Sequence, residues 1–315
     1  MAVMVRGNFA DLLDVRFREV NAERTLLKKN TDMVPVLWRQ KDPTRPWRPD
    51  ERLSETSGLP RAGQFTGSVD YAQRYQGYDV TGTYVEFAQG MQIERLLVEY
   101  DQFDQIDDMG RSLFDSMWHR RQFDAMRLYR NAFSVDTFFY NHTEGVALCS
   151  NSHTTTTGAS TATGFDNLRT AALSATEVWN TQIAMQAFRD LQGLPTQTVM
   201  DTIICPKDLG EVAWEIINAS GKVDTAQNNP NVHQGAYTLI LFPDNVNFTD
   251  ANDWFSVDSQ LKEMAAMWMD QVWPGGQPEF GQAEEFDTYN AKFRAYMRYM
   301  YLVRKWQWIN GNQVS

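Results

Sequence analysis

The sequence predicts an α+β protein, and three features predict it. Residues 101–134 carry apolar side chains at helical spacing over a stretch far longer than the mean helix of about 11–12 residues. Segments alternating at period two lie on both sides of it in sequence, the longest running from Thr288 to Ile309. Between them, a series of short helices and strands occupies residues 174–273. With 315 residues, 43% hydrophobic and 13% aromatic, the chain is long enough for one large domain or two smaller ones around a real core.

Residues 8–33 read as an arm with one helix, capped by Asn8, whose apolar face (Leu12, Leu13, Phe17, Val20, Leu27) is incomplete. Next comes a polar stretch from about Arg39 to Thr83. Pro43, Pro46, Pro49 and Pro60 cannot donate ladder hydrogen bonds, and Trp47, Leu53, Leu59 and Phe65 are too sparse to form a core. A connection of this length without regular structure is functional or disordered. Its ends, VPVLWRQ and SVDYAQRYQGYDVTGTY, alternate well enough to form an extended hairpin. A lone hairpin is marginal in water, so this one is expected to be ordered by docking, on another copy of the chain.

Residues 84–99 read as a strand with Val85, Phe87, Met91 and Ile93 on one parity, leading into a rod of roughly 50 Å from Asp101 to Ser134. VDTFFYNHTEGVALCS reads as a strand with turns, and NSHTTTTGASTATGFDN as an exposed Thr/Ser/Gly linker. Ser174 with Glu177 forms a capping box for a helix to Leu191, stopped by Gly193 and Pro195. TVMDTIICP is a buried strand, residues 207–219 a third helix, and GAYTLILFP, DWFSVDS and EMAAMWMDQVW three strands. WPGGQPEFGQAEEF is a loop. In the last strand Phe293, Ala295, Met297, Tyr299 and Tyr301 share one face, against Lys292, Arg294, Tyr296, Arg298 and Met300 on the other.

The net charge of −11 falls entirely in residues 101–315, where 26 acidic residues face 15 basic ones. Such a surface is a poor footprint for tight nucleic-acid binding, though compatible with a wall that nucleic acid lies against without sticking. The basic residues are 21 Arg against 8 Lys, a bias toward forked contacts with carboxylates at interfaces. Cys149 and Cys205, the only cysteines, sit in apolar settings and read as small hydrophobes rather than a disulfide. No run of eighteen apolar residues and no signal-peptide pattern occurs, so a soluble chain made in the cytoplasm, with no membrane partner, is expected.

Chemistry is thinly represented. Asp101, Asp104, Asp107 and Asp108 open the long helix, where acidic side chains favour the N-terminal dipole more simply than they hold a cation. His119, His142, His153 and His233 form no HxxxH or HExxH pair, and His119 beside Arg120 and Arg121 reads as a solvated or interface residue. GxSxG, Walker and GxGxxG patterns are absent, and GASTATG lacks the flanking strand and helix of a phosphate cradle. Trp254, Trp268, Trp273, Trp306 and Trp308 read as core rather than as sugar platforms. No catalytic residue, cofactor or metal is expected. The rival readings are a hydrolase using paired carboxylates, Glu284 with Glu285 or Asp104 with Asp108, and a tail-tube or decoration protein.

From Ala147 on, the order ALCSNSHTTTTG, GFDNLRTAALSATEVWNTQIAMQAFRDLQGLP, TIICPKDLGEVAWEIINAS, NPNVHQGAYTLILFP, DWFSVD resembles major capsid proteins of tailed bacteriophages, in the Mu-like branch of the Hong Kong 97-type capsid fold. Upstream, VTGTYVEFAQGMQIERLLVEYDQF is similar to that family's entry into its spine helix. The resemblance implies an N-terminal arm at 1–35 and an extended E-loop at 36–83. It implies a peripheral domain at 84–194, completed by 284–315, and an axial domain at 195–283. It implies a virion coat subunit, assembled in the host cytoplasm into hexamers and pentamers of an icosahedral or prolate shell around double-stranded DNA met only by non-specific proximity. Arg45, Arg48, Arg52 and Arg61 would face a neighbour's carboxylates, with Trp47 or Phe65 as apolar anchors. A separate scaffolding protein is implied, because the sequence shows no long helical N-terminal extension to serve as a built-in scaffold, and a portal and a decoration protein are further implied partners. Lys41 is the only E-loop lysine, a thin basis for covalent cross-linking.

Overall fold

The computed structural model describes residues 19–20, 22–28, 31–41, 50–93, 103–138, 140–221, 229–243, 250–270, 278–284 and 290–315. These form two compact units: one gathers residues 1–49, 83–125 and 268–300, the other residues 50–82, 126–267 and 301–315.

In the first unit residues 22–28 are helical, but Leu27 is exposed, because the turn is held by charge: Arg24 and Lys28 both reach Asp115, at 2.5 and 2.6 Å. Asn8, Leu12, Leu13 and Phe17 lie outside the described residues. VPVLWRQ is not a hairpin strand. Val34–Leu37 is a helical turn (α1) with proline in its first turn, and only Arg39–Gln40 (β1) is extended. Pro35 explains the difference, since its fixed φ suits the start of a helix.

Val85–Ile93 (β4) is the expected strand. The rod is Phe103–Arg130 (α2), 28 residues and about 42 Å long. Its apolar face buries Leu113, Phe114, Met117 and Trp118. The long C-terminal strand is Ala291–Val303 (β11), paired antiparallel with β4 from Ala291↔Ile93 to Tyr299↔Val85. Its parity is as read over the first part of the strand, where Phe293, Ala295, Met297 and Tyr299 are buried and Lys292 and Arg294 exposed. Met300, read on the outer face, is instead fully buried, and from there Tyr301, Leu302 and Val303 are all buried.

Further elements depart from the sequence reading: among its described residues VDTFFYNHTEGVALCS holds turns and a single bridge at His142 in place of a strand. Glu279–Glu284 (β10), expected as loop, pairs antiparallel with β11 from Glu279↔Tyr296 to Glu284↔Ala291. EMAAMWMDQVW is half helix: Asp258 accepts the Leu261 amide at 2.9 Å and caps Ser259–Ala265, after which Ala266–Asp270 is strand (β9). In this unit Trp268 stacks on Tyr299 at 4.6 Å, and the Tyr299 hydroxyl donates to buried Asp124 at 2.7 Å. Arg121 forks between Asp32 and Asp270 at 2.9 and 3.1 Å, the carboxylate contact that the arginine bias led us to expect, made within one chain.

The second unit is built on a five-stranded sheet. Leu168–Arg169 (β5) runs parallel to Ile309–Asn312 (β12), and β12 is antiparallel to Trp254–Val257 (β8). The sheet continues through Thr202–Cys205 (β6) to Thr238–Leu241 (β7), parallel to β6. All four residues of β6 are buried, as a short apolar run covered on both faces should be. Tyr129 meets Phe242, Phe255 and Trp308 edge-on, and Phe133 stacks on Phe255. Helix Ala175–Gln186 is capped by Ser174, whose hydroxyl accepts the Glu177 amide at 3.2 Å, but Glu177 turns to Arg169 and Asn180 instead of closing the box. Helix Gly210–Asn218 follows a short 3-10 turn. Cys149 and Cys205 are free and buried, and burial pushes both thiols up.

Compactness divides the chain at 49/50, 82/83, 125/126, 267/268 and 300/301. Strand β12 ties the C-terminal residues into the second unit by pairing with β5 and with β8.

Candidate assembly interface

The hairpin belongs to the second unit. Asp50–Thr56 (β2) and Gln76–Thr83 (β3) form a two-stranded sheet, starting later than VPVLWRQ would have had it. Between them residues 57–75 have no regular structure, and every residue from 58 to 76 is exposed. That run includes Leu59, Phe65 (71% exposed), Val69, Tyr71 (87%) and Tyr75. Single exposed apolar residues are ordinary; several within one projecting loop mark a surface that another molecule covers.

The hairpin's root, in contrast, is tied down by polar groups. On one side Thr81 N donates to Asn141 O, Thr143 N to Asp79 O at 2.9 Å, and Asp79 N to Thr143 Oγ1 at 2.9 Å. On the other, Arg304 donates to Ser54 O and Thr56 Oγ1 at 3.1 and 2.9 Å. Gly58 N donates to Asp190 Oδ2 at 2.6 Å, and Gln192 Nε2 bridges Ser57 Oγ and Gln73 O. Gly77 lets the two approach closely: a Cβ there would lie 2.1 Å from Leu191 Cδ1, so a larger residue requires the Leu191 side chain to shift.

The expected contact residues fall into three sets. Arg45, Trp47 and Arg48 lie outside the described residues. Arg52 has found a carboxylate in its own hairpin: it pairs with Asp79, which Ser54 also bonds, and the Ser54 hydroxyl and Arg52 hold that carboxyl below its usual range. Arg61 and Phe65 stand exposed on the loop. Elsewhere, His119 and Asp108 are exposed on α2, Glu284 ends β10, and Asp101 and Glu285 lie outside the described residues. Among the described residues no group of three His, Cys, Asp or Glu side chains is arranged to hold a metal, and no helix is long and apolar enough to cross a membrane.

Sequence reasoning missed the root. Asp190, Gln192, Arg304 and Gln307 sit about 120 to 250 positions from their hairpin partners, and no local pattern announces such pairs. Only HTE at 142–144, two positions of which turn out buried beside His153, offered a signal.

Comparison with known proteins agrees with this geometry. No curated protein matches the chain. Among solved structures, Mycobacterium phage Patience is similar over 99% of this chain and 91% of its own, with TM-score 0.54 at 8% identity. The capsid of the native GTA particle computed with C5 symmetry aligns over 89% of both chains, with TM-score 0.54 at 11% identity. The capsid of Ralstonia phage GP4 aligns over 89% of this chain and 87% of its own, with TM-score 0.50 at 10% identity. At these identities the likeness is one of fold, mixed helix and sheet of the Hong Kong 97 type. The family model described as phage capsid protein matches residues 79–309, from the second hairpin strand to the first residue of β12, and on that match the chain belongs to the phage capsid protein family.

Proposed function

We propose that this major capsid protein builds its shell by laying the hairpin loop over the next copy around a ring. The observation that carries the reading is the run of exposed residues 58–76, with five large apolar side chains, on a root fixed by hydrogen bonds. A head-to-tail contact buries a different patch on each side of one subunit and closes into rings of five or six. Covering Leu59, Phe65, Val69, Tyr71 and Tyr75 would each contribute about 1.5–3 kcal/mol as an upper bound, and Arg61 would meet an acidic partner surface.

On this reading residues 1–35 are an arm, 36–83 the E-loop region, and the axial role falls to parts of 195–283. A separate scaffolding protein, a portal and a decoration protein complete the head, and the subunit acts structurally, not as a hydrolase. The acidic excess of residues 101–315 gives DNA a weakly repelling inner wall; a map of the shell with net positive inner potential overturns that part.

The test replaces residues 59–74 by a short Gly/Ser turn. The expected product is a soluble subunit with an unchanged circular dichroism spectrum that forms no shells by negative-stain microscopy. Shells at wild-type yield would refute the reading.

A further inference from the structure

The hairpin's root encloses ionisable groups that shell closure does not call on. Glu55, on β2, is 4% exposed and accepts from Gln307 Nε2 at 3.1 Å; Lys305, Arg304 and Glu144 are the charged groups around it. Glu144 is 3.1 Å from His153 Nδ1 and 3.7 Å from His142 Nδ1, and it accepts the Thr154 amide. His153 stacks on Trp306 at 4.2 Å, and its Nε2 is 3.1 Å from Asn167 Oδ1. That atom is the oxygen, because Asn167 Nδ2 donates to Leu148 O and Ile309 O while Oδ1 accepts Ser150 N. Both nitrogens of His153 therefore face oxygen atoms, of Glu144 and of Asn167.

His142 is different. Its ring stacks on Tyr140 at 4.9 Å and tilts against Tyr78, with Glu144, His153, Asp79 and the Arg304 backbone around it. Its backbone forms the bridge to Val80 of β3. Glu55 thus sits on one hairpin strand, and His142 on the segment that carries the other.

We propose that Glu55 and His142 are an opposed proton-linked pair that keeps the hairpin's grip on its own body level across mildly acidic pH, releasing it only where Glu144 loses its charge. That the grip then presents the loop to a second copy of this chain rests on the coat reading. Burial pushes the Glu55 carboxyl up to about 7, against the Gln307 hydrogen bond and the Lys305 charge. Burial pushes His142 down to about 4, against the pull of Glu144. For Glu144 burial is outweighed by the hydrogen bond and charge of His153, the Thr154 amide and His142, so its carboxyl lies below the usual range.

The signs follow from linkage. Between about 4.5 and 7 the closed root holds a Glu55 proton that the open root has lost, so Glu55 loosens the root as pH rises. Between about 6.5 and 4 the open root protonates His142 and the closed root does not, so His142 loosens it as pH falls. From 4.5 to 6.5 the two slopes cancel. Below 4.5 the open root protonates Glu144 more readily than the closed root does, so falling pH favours release and nothing opposes it.

The experiment is hydrogen exchange, read by mass spectrometry on peptides covering 50–57 and 76–83 of the unassembled full chain from pH 4 to 8, corrected for intrinsic rates. Wild type should give level protection from about pH 4.5 to 6.5. Glu55→Gln should make protection rise with pH, and His142→Gln should make it fall with pH, each by up to about tenfold per unit. Level profiles in both variants, or offsets without a change of slope, would overturn the proposal and leave the two residues structural. If either variant fails to protect β6 as wild type does, the histidine NMR titration of wild type decides: His142 neutral at pH 5 supports the pair, and His142 charged at pH 5 overturns it. Because no shell forms in these measurements, their outcome is independent of the loop-replacement test.

Discussion

The five-stranded sheet and the two-stranded hairpin of the second unit are both β structure, yet they are stabilised by opposite means. In the sheet, Ile203, Ile204, Phe255, Val257 and Ile309 are wholly buried. In the hairpin, the apolar groups of the loop point to water, and the buried positions are mixed: Glu55 and Ser57 are polar, and Val80 is the buried apolar residue of β3. A hydrophobic core fixes where a sheet is but gives it no reason to reach outward. A polar root fixes an angle at little apolar cost, and leaves the apolar surface for a partner.

The largest expected effect breaks the core side of this contrast. Trp308 is fully buried against Tyr129, and its indole N–H donates to Lys305 O at 2.8 Å. Trp308→Ala should cost about 3–5 kcal/mol and lower the urea midpoint of the whole second unit. A midpoint within error of wild type would mean that the sheet is not what holds the unit together.

A middling effect is expected at the root. Asp190 accepts from Gly58 N, Gln192 N and Leu194 N, so Asp190→Ala leaves three donors without their acceptor. The expected loss is about 1–3 kcal/mol, confined to the root. Exchange at residues 57–60 should rise while β6 stays protected; equal loss of protection in both would erase the distinction between root and core.

How much of this was legible follows the same division. Strand β6, the capped helix after Ser174 and the inner face of β11 were readable because burial leaves its mark on neighbouring residues: TIIC carries three apolar residues in a row after Thr202, and 293, 295, 297, 299 and 301 are all buried. The long exposed loop was readable too, from Pro60, its glycines and an apolar content without the spacing of a core. Strand β10 was missed because GlyGly and Pro in WPGGQPEFGQAEEF outweighed a weak alternation that only pairing with β11 makes sense of. The turn at Val34–Leu37 was missed because VPVL alternates like a strand while Pro35 starts a helix. The root was missed for a deeper reason: Glu55–Gln307 and Gly58–Asp190 are pairs made by tertiary folding, and neither residue type looks unusual in its own neighbourhood.

The smallest effect on stability is also the sharpest test of the contrast. Phe65 and Tyr71 are almost free of contact with their own chain, so Phe65→Ser with Tyr71→Ser removes almost no burial from the lone subunit. Its unfolding free energy should stay within about 0.5 kcal/mol of wild type, as for surface changes away from any packed feature, leaving the thermal midpoint nearly unmoved. Assembly should nevertheless weaken, since two side chains worth about 1.5–3 kcal/mol each when covered would be missing from every repeated contact. Light scattering against subunit concentration reads that directly as a raised threshold for shell formation. A fall of several degrees in the midpoint would show the loop packing on its own body, and an unchanged threshold would show that the neighbour is held by some other surface.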